Sequence, residues 1–235
     1  MLIRERAFVL KTIPYQEGNL IVTLLTEKNG IRRAIAQKAQ TSNHPLHAVC
    51  QPLVEADFLL NISGGGLASM LQSEVKNFHS EVRFDLVKSA VAAIFAEWLI
   101  QAGGEEGLTF PSQSFACFRS GVYWLAESRE NLIVACLRFL VCTISEAGIA
   151  LDPDEFGRWS LSKAATSLLE EVLIGDVWKE LNGYSQDAAL ELVNKLSAWI
   201  YDQTGIVLKS LKIALQLSID TTSSYQLDEK RGEER

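Results

Sequence analysis

Residues Phe8–Ala39 read FVLKTIPYQEGNLIVTLLTEKNGIRRAIAQKA. Three apolar runs rich in β-branched residues follow one another: Ala7–Thr12, Leu20–Thr26 and Ile31–Ala36. Pro14 and Gly18 punctuate the first connection, and Lys28-Asn29-Gly30 the second. Asn-Gly between apolar runs favours a tight hairpin, because both residues tolerate positive φ. The pattern predicts a three-stranded antiparallel meander that opens a small β-barrel.

Working outward, Gln40–Ala48 reads as a polar loop, Leu53–Ile62 as a fourth strand and Leu67–Phe78 as a fifth. Ser63-Gly64-Gly65-Gly66 between them reads as a hairpin turn, since no Gly-Lys-Ser/Thr follows as in a phosphate loop. Five short strands fit a small barrel of the OB type, or another all-β meander. Apolar residues then recur at three- and four-residue steps, which predicts helices over Arg83–Ala102, Ser112–Ser128, Leu132–Ala147, Ser160–Leu173, Asp187–Thr204 and Leu208–Leu217. Gly103-Gly104 and Gly148 read as stops, and Asn131 as a cap. The expected organisation is α+β: a barrel domain over 1–80, a helical domain over 81–220 and a polar tail over 221–235.

Hydrophobic residues make up 48% of the chain, enough for a packed core. The longest apolar run, Ala90–Ile100, contains Glu97 and falls short of the roughly 20 residues that span a bilayer. No signal-like apolar stretch follows Met1, so a cytoplasmic protein without membrane contact is expected. The four cysteines, 50, 117, 136 and 142, lack C-x-x-C spacing and read as small buried hydrophobes; no metal and no cofactor is expected.

Net charge is −7 but unevenly spread. Residues 1–80 carry eight Lys/Arg against six Asp/Glu, a net of +2, which leaves 14 against 23, a net of −9, for the rest. Only the β-rich segment suits phosphates. Its cations include Arg4, Arg6, Lys11, Lys28, Arg32, Arg33 and Lys38. Alternation sends Arg32 and Arg33 to opposite faces, with Lys38 continuing the face of Arg32. Lys11, Arg32 and Lys38, with Tyr15 as a stacking ring, form a candidate single-strand surface; an ordinary charged barrel surface is the alternative. His44, His47 and His79 read as surface residues, and Asp152-Pro153-Asp154 as a loop lacking the ligands of a calcium site. No G-x-S-x-G, H-E-x-x-H or Cys/His pairing supports catalysis, so a non-enzymatic protein is expected.

The order Val9-Leu10, Tyr15, Glu17, Ile21-Val22, Leu24, Thr26, Gly30, Ala36, Lys38-Ala39 and Gln51-Pro52 resembles the RecO family of bacterial DNA-repair mediators. Leu137-Arg138-Phe139 with Gly148, and Gly205 with Leu208-Lys209-Ser210, are similar to later parts of that family, although Leu211 stands where an arginine is usual. The resemblance implies an N-terminal OB-fold, a helical domain, binding and annealing of single- and double-stranded DNA, and contacts with RecR and the single-strand-binding protein, which together help load recombinase. It also implies that the acidic, apolar-ended tail of the single-strand-binding protein docks on the helical half. Such a tail needs an apolar pocket with a basic rim, for which Arg138 and Lys209 are the candidates; Arg138 paired with an internal acid is the alternative. Two departures stand out: Asp152–Ser160 holds no cysteine of the family's four-cysteine zinc site, and Gln40–Ala48 has no Lys or Arg where a basic loop is common. A protein-interaction scaffold whose barrel binds DNA weakly or not at all is the competing function.

Overall fold

A computed structural model describes residues 1–62, 67–103, 112–127, 132–147, 149, 156–174 and 184–217. Strands β1 (Leu2–Tyr15), β2 (Asn19–Thr26), β3 (Gly30–Ala36), β4 (Glu55–Asn61) and β5 (Leu67–Asn77) close into a barrel in the order β1-β2-β3-β5-β4. β1, β2 and β3 form the expected antiparallel meander, and only β3 with β5 is parallel. The β2–β3 turn is fixed by its residue types. Gly30 adopts φ +62°, while the Thr26 hydroxyl donates to the Gly30 carbonyl (2.8 Å) and accepts from the Asn29 amide (3.1 Å). From inside the barrel end, Glu5 accepts from the Lys28 amide and the Asn29 side chain (3.1 and 2.7 Å).

The loop expected over Gln40–Ala48 contains a short helix, α1 (Pro45–Val49). His44 Nδ1 accepts from the Leu46 amide at 3.2 Å, and Pro45 starts the helix. Leu46 and Val49, three apart, bury into the barrel core beside Val9, Leu24, Ala34, Phe58 and Leu60. Five residues are too few to show helical periodicity. His47 Nδ1 lies 2.9 Å from the Ala39 carbonyl, so both loop histidines are half-buried and hold backbone.

Beyond the barrel come α2 (Ser80–Arg83), α3 (Leu86–Ala102), α4 (Ser112–Glu127), α5 (Leu132–Glu146), a 3₁₀ turn at Gly157–Trp159, α6 (Lys163–Ile174), α7 (Gln186–Thr204) and α8 (209–217). The helix expected from Arg83 is split, because Asp85 caps α3 by accepting from the Val87 and Lys88 amides (3.0 and 2.9 Å). Gly205, at φ +72°, ends α7. α5 is buried without a break from Ile133 to Val141 and forms the centre of the helical core. The expected glycine turn at 63–66, the Asn131 cap, the Gly148 stop, the 152–154 loop and the 221–235 tail lie outside the described residues.

Barrel and helices share one apolar cluster. Phe8, Leu10, Leu25 and Leu53 leave the barrel's outer face and pack among α3, α4 and α5. An aromatic chain runs through the joint: Phe8 meets Phe118 edge-on at 5.1 Å, Phe118 meets Phe139 at 6.1 Å, and Phe139 stacks on Phe95 at 4.1 Å. Cys50, Cys117 and Cys136 are buried and Cys142 half-buried, all as free thiols; burial pushes Cys50 and Cys136 up to about 12. Among the described residues no helix is long and apolar enough to cross a membrane.

Candidate nucleic-acid interface

A β-bulge decides which cations face outward. On β1, Val9 pairs with Leu24 and Lys11 with Thr23, so Leu10 is an extra residue. Val9 points into the barrel core and Leu10 packs outward against the helices. Plain alternation would return Lys11 to the interior. The bulge keeps it outside, and it is exposed.

On the barrel's outer face Lys11, Thr23 and Arg33 therefore form one cross-strand row. Ile13, Ile21 and Ile35 form the next row, and Tyr15 stands beyond it opposite Asn19. Ile13 and Tyr15 are exposed, so two cations, an isoleucine and a phenol ring share an accessible surface. The expected residues do not all share this face. Arg32 lies opposite Leu24 on the face of the buried Ala34 and Ala36, with its Nε buried and without a hydrogen bond among the described residues. Lys38 does not extend that face, because β3 stops at Ala36. Lys38 takes φ +57° in the following turn, its amide held by Asn19 Oδ1 at 3.0 Å. Arg33, the residue passed over, takes the place assigned to Arg32. The signal was present in Phe8-Val9-Leu10, three successive apolar residues where a one-sided strand would alternate.

The opposite flank neutralises its own cations. Asp57 pairs with Arg6 and Lys76 (both 3.1 Å), and Glu74 pairs with Lys76 (2.7 Å) and Arg4 (3.8 Å). Among the described residues no ion pair ties up Lys11.

Beside Lys11 a cleft of about 740 Å³ opens between barrel and helices. Leu10, Leu53, Ala92, Ala93, Ala96 and Ile100 line it with apolar surface, and Lys11, Arg83 and Lys209 bring three cations from three elements. Among the described residues its one carboxylate, Glu97, already accepts from the Ser210 amide (2.7 Å) and from Gln101 (3.0 Å). Leu53 reaches the cleft with φ +69°, a conformation costing a leucine about 1–3 kcal/mol. It is held there by its amide donating to the Val9 carbonyl at 2.8 Å. Of the two residues expected on a partner's rim, Lys209 lines this cleft, whereas Arg138 is 3% exposed in the middle of α5 and does not.

A buried polar joint holds the barrel's other edge to the helices. Glu55 of β4 is 1% exposed. It accepts from Arg119 Nε at 3.1 Å and from the Tyr123 hydroxyl at 3.4 Å, both on α4, and lies 3.6 Å from the buried His79 imidazole. His79, expected on the surface, takes a left-handed conformation at the start of α2 and meets the Tyr123 ring edge-on at 4.9 Å. Burial alone would raise the pKa of Glu55, but His79 and Arg119 bring it below the ordinary value. Among the described residues no group of three or more His, Cys, Asp or Glu is placed to hold a metal ion.

Residues 1–79 match the family model described as recombination protein O N terminal. The chain is 40% identical over 110 residues to the DNA repair protein RecO of Shouchella clausii, an overlap covering 47% of this chain and 43% of that protein. Over 106 residues it is 39% identical to the DNA repair protein RecO of Bacillus subtilis, covering 45% and 41%. Against the DNA repair protein RecO of Syntrophomonas wolfei it is 28% identical over 111 residues, covering 47% and 44%. The chain thus spans less than half the length of these relatives.

Proposed function

We propose that this chain, whose residues 1–79 match the recombination protein O N-terminal model, is a RecO-like DNA-repair and recombination mediator without catalysis of its own, binding DNA on the outer face of β1, β2 and β3. The observation that carries this reading is the row Lys11–Thr23–Arg33 beside the exposed Ile13 and Tyr15. Phosphates meet the two cations while a base stacks on the phenol ring, the combination that grips single strands without reading sequence. Double-stranded DNA meets the same cations through its backbone.

The protein partners follow from the same reading. The cleft joins an aliphatic floor to a rim of Lys11, Arg83 and Lys209, which suits the acidic, apolar-ended tail of the single-strand-binding protein. Docking there would bring the mediator to coated single strands, where with RecR it helps load recombinase. Arg138 plays no part in this version of the tail site. A second reading, an interaction scaffold with little DNA affinity, is favoured by the net charge of −9 over residues 81–235.

Fluorescence anisotropy of a labelled single-stranded oligonucleotide separates the two. The mediator reading expects binding at low salt that weakens steeply as salt rises. Lys11→Ala and Arg33→Ala should each weaken binding to all base sequences alike. No binding by the folded wild type at low salt would leave the scaffold.

A further inference from the structure

We propose that an acidic peptide with an apolar carboxy-terminal residue in the cleft, and a DNA strand on the barrel face, weaken one another's binding through Lys11. This rests on the DNA surface proposed above and adds a rule for its regulation.

Lys11 belongs to two sites at once. It opens the outward row with Thr23 and Arg33, and it lines the cleft with Arg83 and Lys209. The bulge at Leu10 creates this double membership by turning Leu10 and Lys11 to the same side of the strand. One ammonium group cannot neutralise a phosphate and a peptide carboxylate in full, and the two anions repel each other across it.

Charge and surface name the occupant of the cleft. Among the described residues three cations face one carboxylate, and that carboxylate is engaged by Ser210 and Gln101. Among the described residues the apolar lining is aliphatic, with no aromatic ring on which a base would stack. An aliphatic or aromatic terminal side chain buries well on such a floor, while its free carboxylate and preceding acidic residues meet the rim. Linkage then makes the effect reciprocal: whatever the peptide does to DNA affinity, DNA does to peptide affinity.

The test uses the full chain, a labelled single-stranded oligonucleotide and a synthetic peptide of aspartates ending in a free carboxy-terminal leucine. At low salt, saturating peptide should weaken DNA binding about fivefold or more. In Lys11→Ala the peptide should still bind, measured with a label of its own, yet change DNA affinity by less than about twofold. Ala93→Trp, which fills the cleft, should remove peptide binding and its effect on DNA together. Peptide that binds the wild type and leaves DNA affinity unchanged overturns the proposal, as does absence of peptide binding or coupling that persists in Lys11→Ala. Lys209→Ala weakening DNA as much as Lys11→Ala, without peptide, would put the strand itself in the cleft and overturn it too. DNA titration without peptide tests the interface on its own, so its failure is distinguishable from failure of the coupling.

Discussion

Phe8→Ala is expected to destabilise the protein by about 3–5 kcal/mol, the usual cost of emptying a fully buried aromatic site. Phe8 is 0% exposed and lies at the joint, 5.1 Å from Phe118 and 5.5 Å from both Phe115 and His79. Its partners come from α4 and the start of α2, so the cavity cannot close by one side chain turning. A change of that size lowers the melting midpoint of a chain this long by roughly 10 °C. Phe8→Leu keeps most of the volume and should cost far less. Urea unfolding followed by circular dichroism checks both. A cost below about 1 kcal/mol for Phe8→Ala would mean that barrel and helices do not depend on a common core.

Glu55→Ala should cost about 2–4 kcal/mol, because it strands a buried imidazole and removes the acceptor of two α4 donors. The half-exposed Arg119 regains water, which keeps the cost from the top of that range. The charge also sets a pH dependence. The folded-state pKa of Glu55 is depressed below its ordinary value of 4.5, so unfolding takes up a proton there. Its stabilisation is therefore complete above that ordinary value and is lost as pH falls through the lower folded value. The groups facing it are His79, Arg119 and Tyr123, with Arg6 farther along β1. The stability gap between wild type and Glu55→Gln should be constant near neutrality and narrow on acidification below about pH 4. A gap that widens in acid would contradict the assignment.

Much of the fold was legible in the residues. The three runs between Phe8 and Ala39 gave the meander because Asn29-Gly30 accepts the positive φ that its turn requires. The helices were readable because α3 and α4 bury residues at helical spacing, while α5 is one long, almost wholly apolar run. The errors have physical causes. α1 was too short for periodicity to show, although His44-Pro45 carried its start signal. The split at Asp85 came from a cap inside a continuous apolar pattern. The site was harder, since period-two reasoning assumes an unbroken pairing register. One extra residue at Leu10 put Lys11 on the outward face with Arg33 rather than on the face of Arg32, and the strand end at Ala36 left Lys38 in a turn. The cleft was not legible at all, because Lys11, Arg83 and Lys209 meet only in three dimensions.

The central claim is that the outward row of the bulged barrel face holds the DNA backbone. The most direct test is the slope of log affinity against log salt for a labelled single strand, measured for wild type, for Lys11→Ala with Arg33→Ala, and for Arg32→Ala with Lys38→Ala, each confirmed as folded. Losing two phosphate contacts should flatten the slope by roughly 1.4 in the Lys11/Arg33 variant, at about 0.7 for each contact to a single strand. The Arg32/Lys38 variant should keep the wild-type slope. The reverse result, with the slope flattened by Arg32 and Lys38 and untouched by Lys11 and Arg33, would contradict the account.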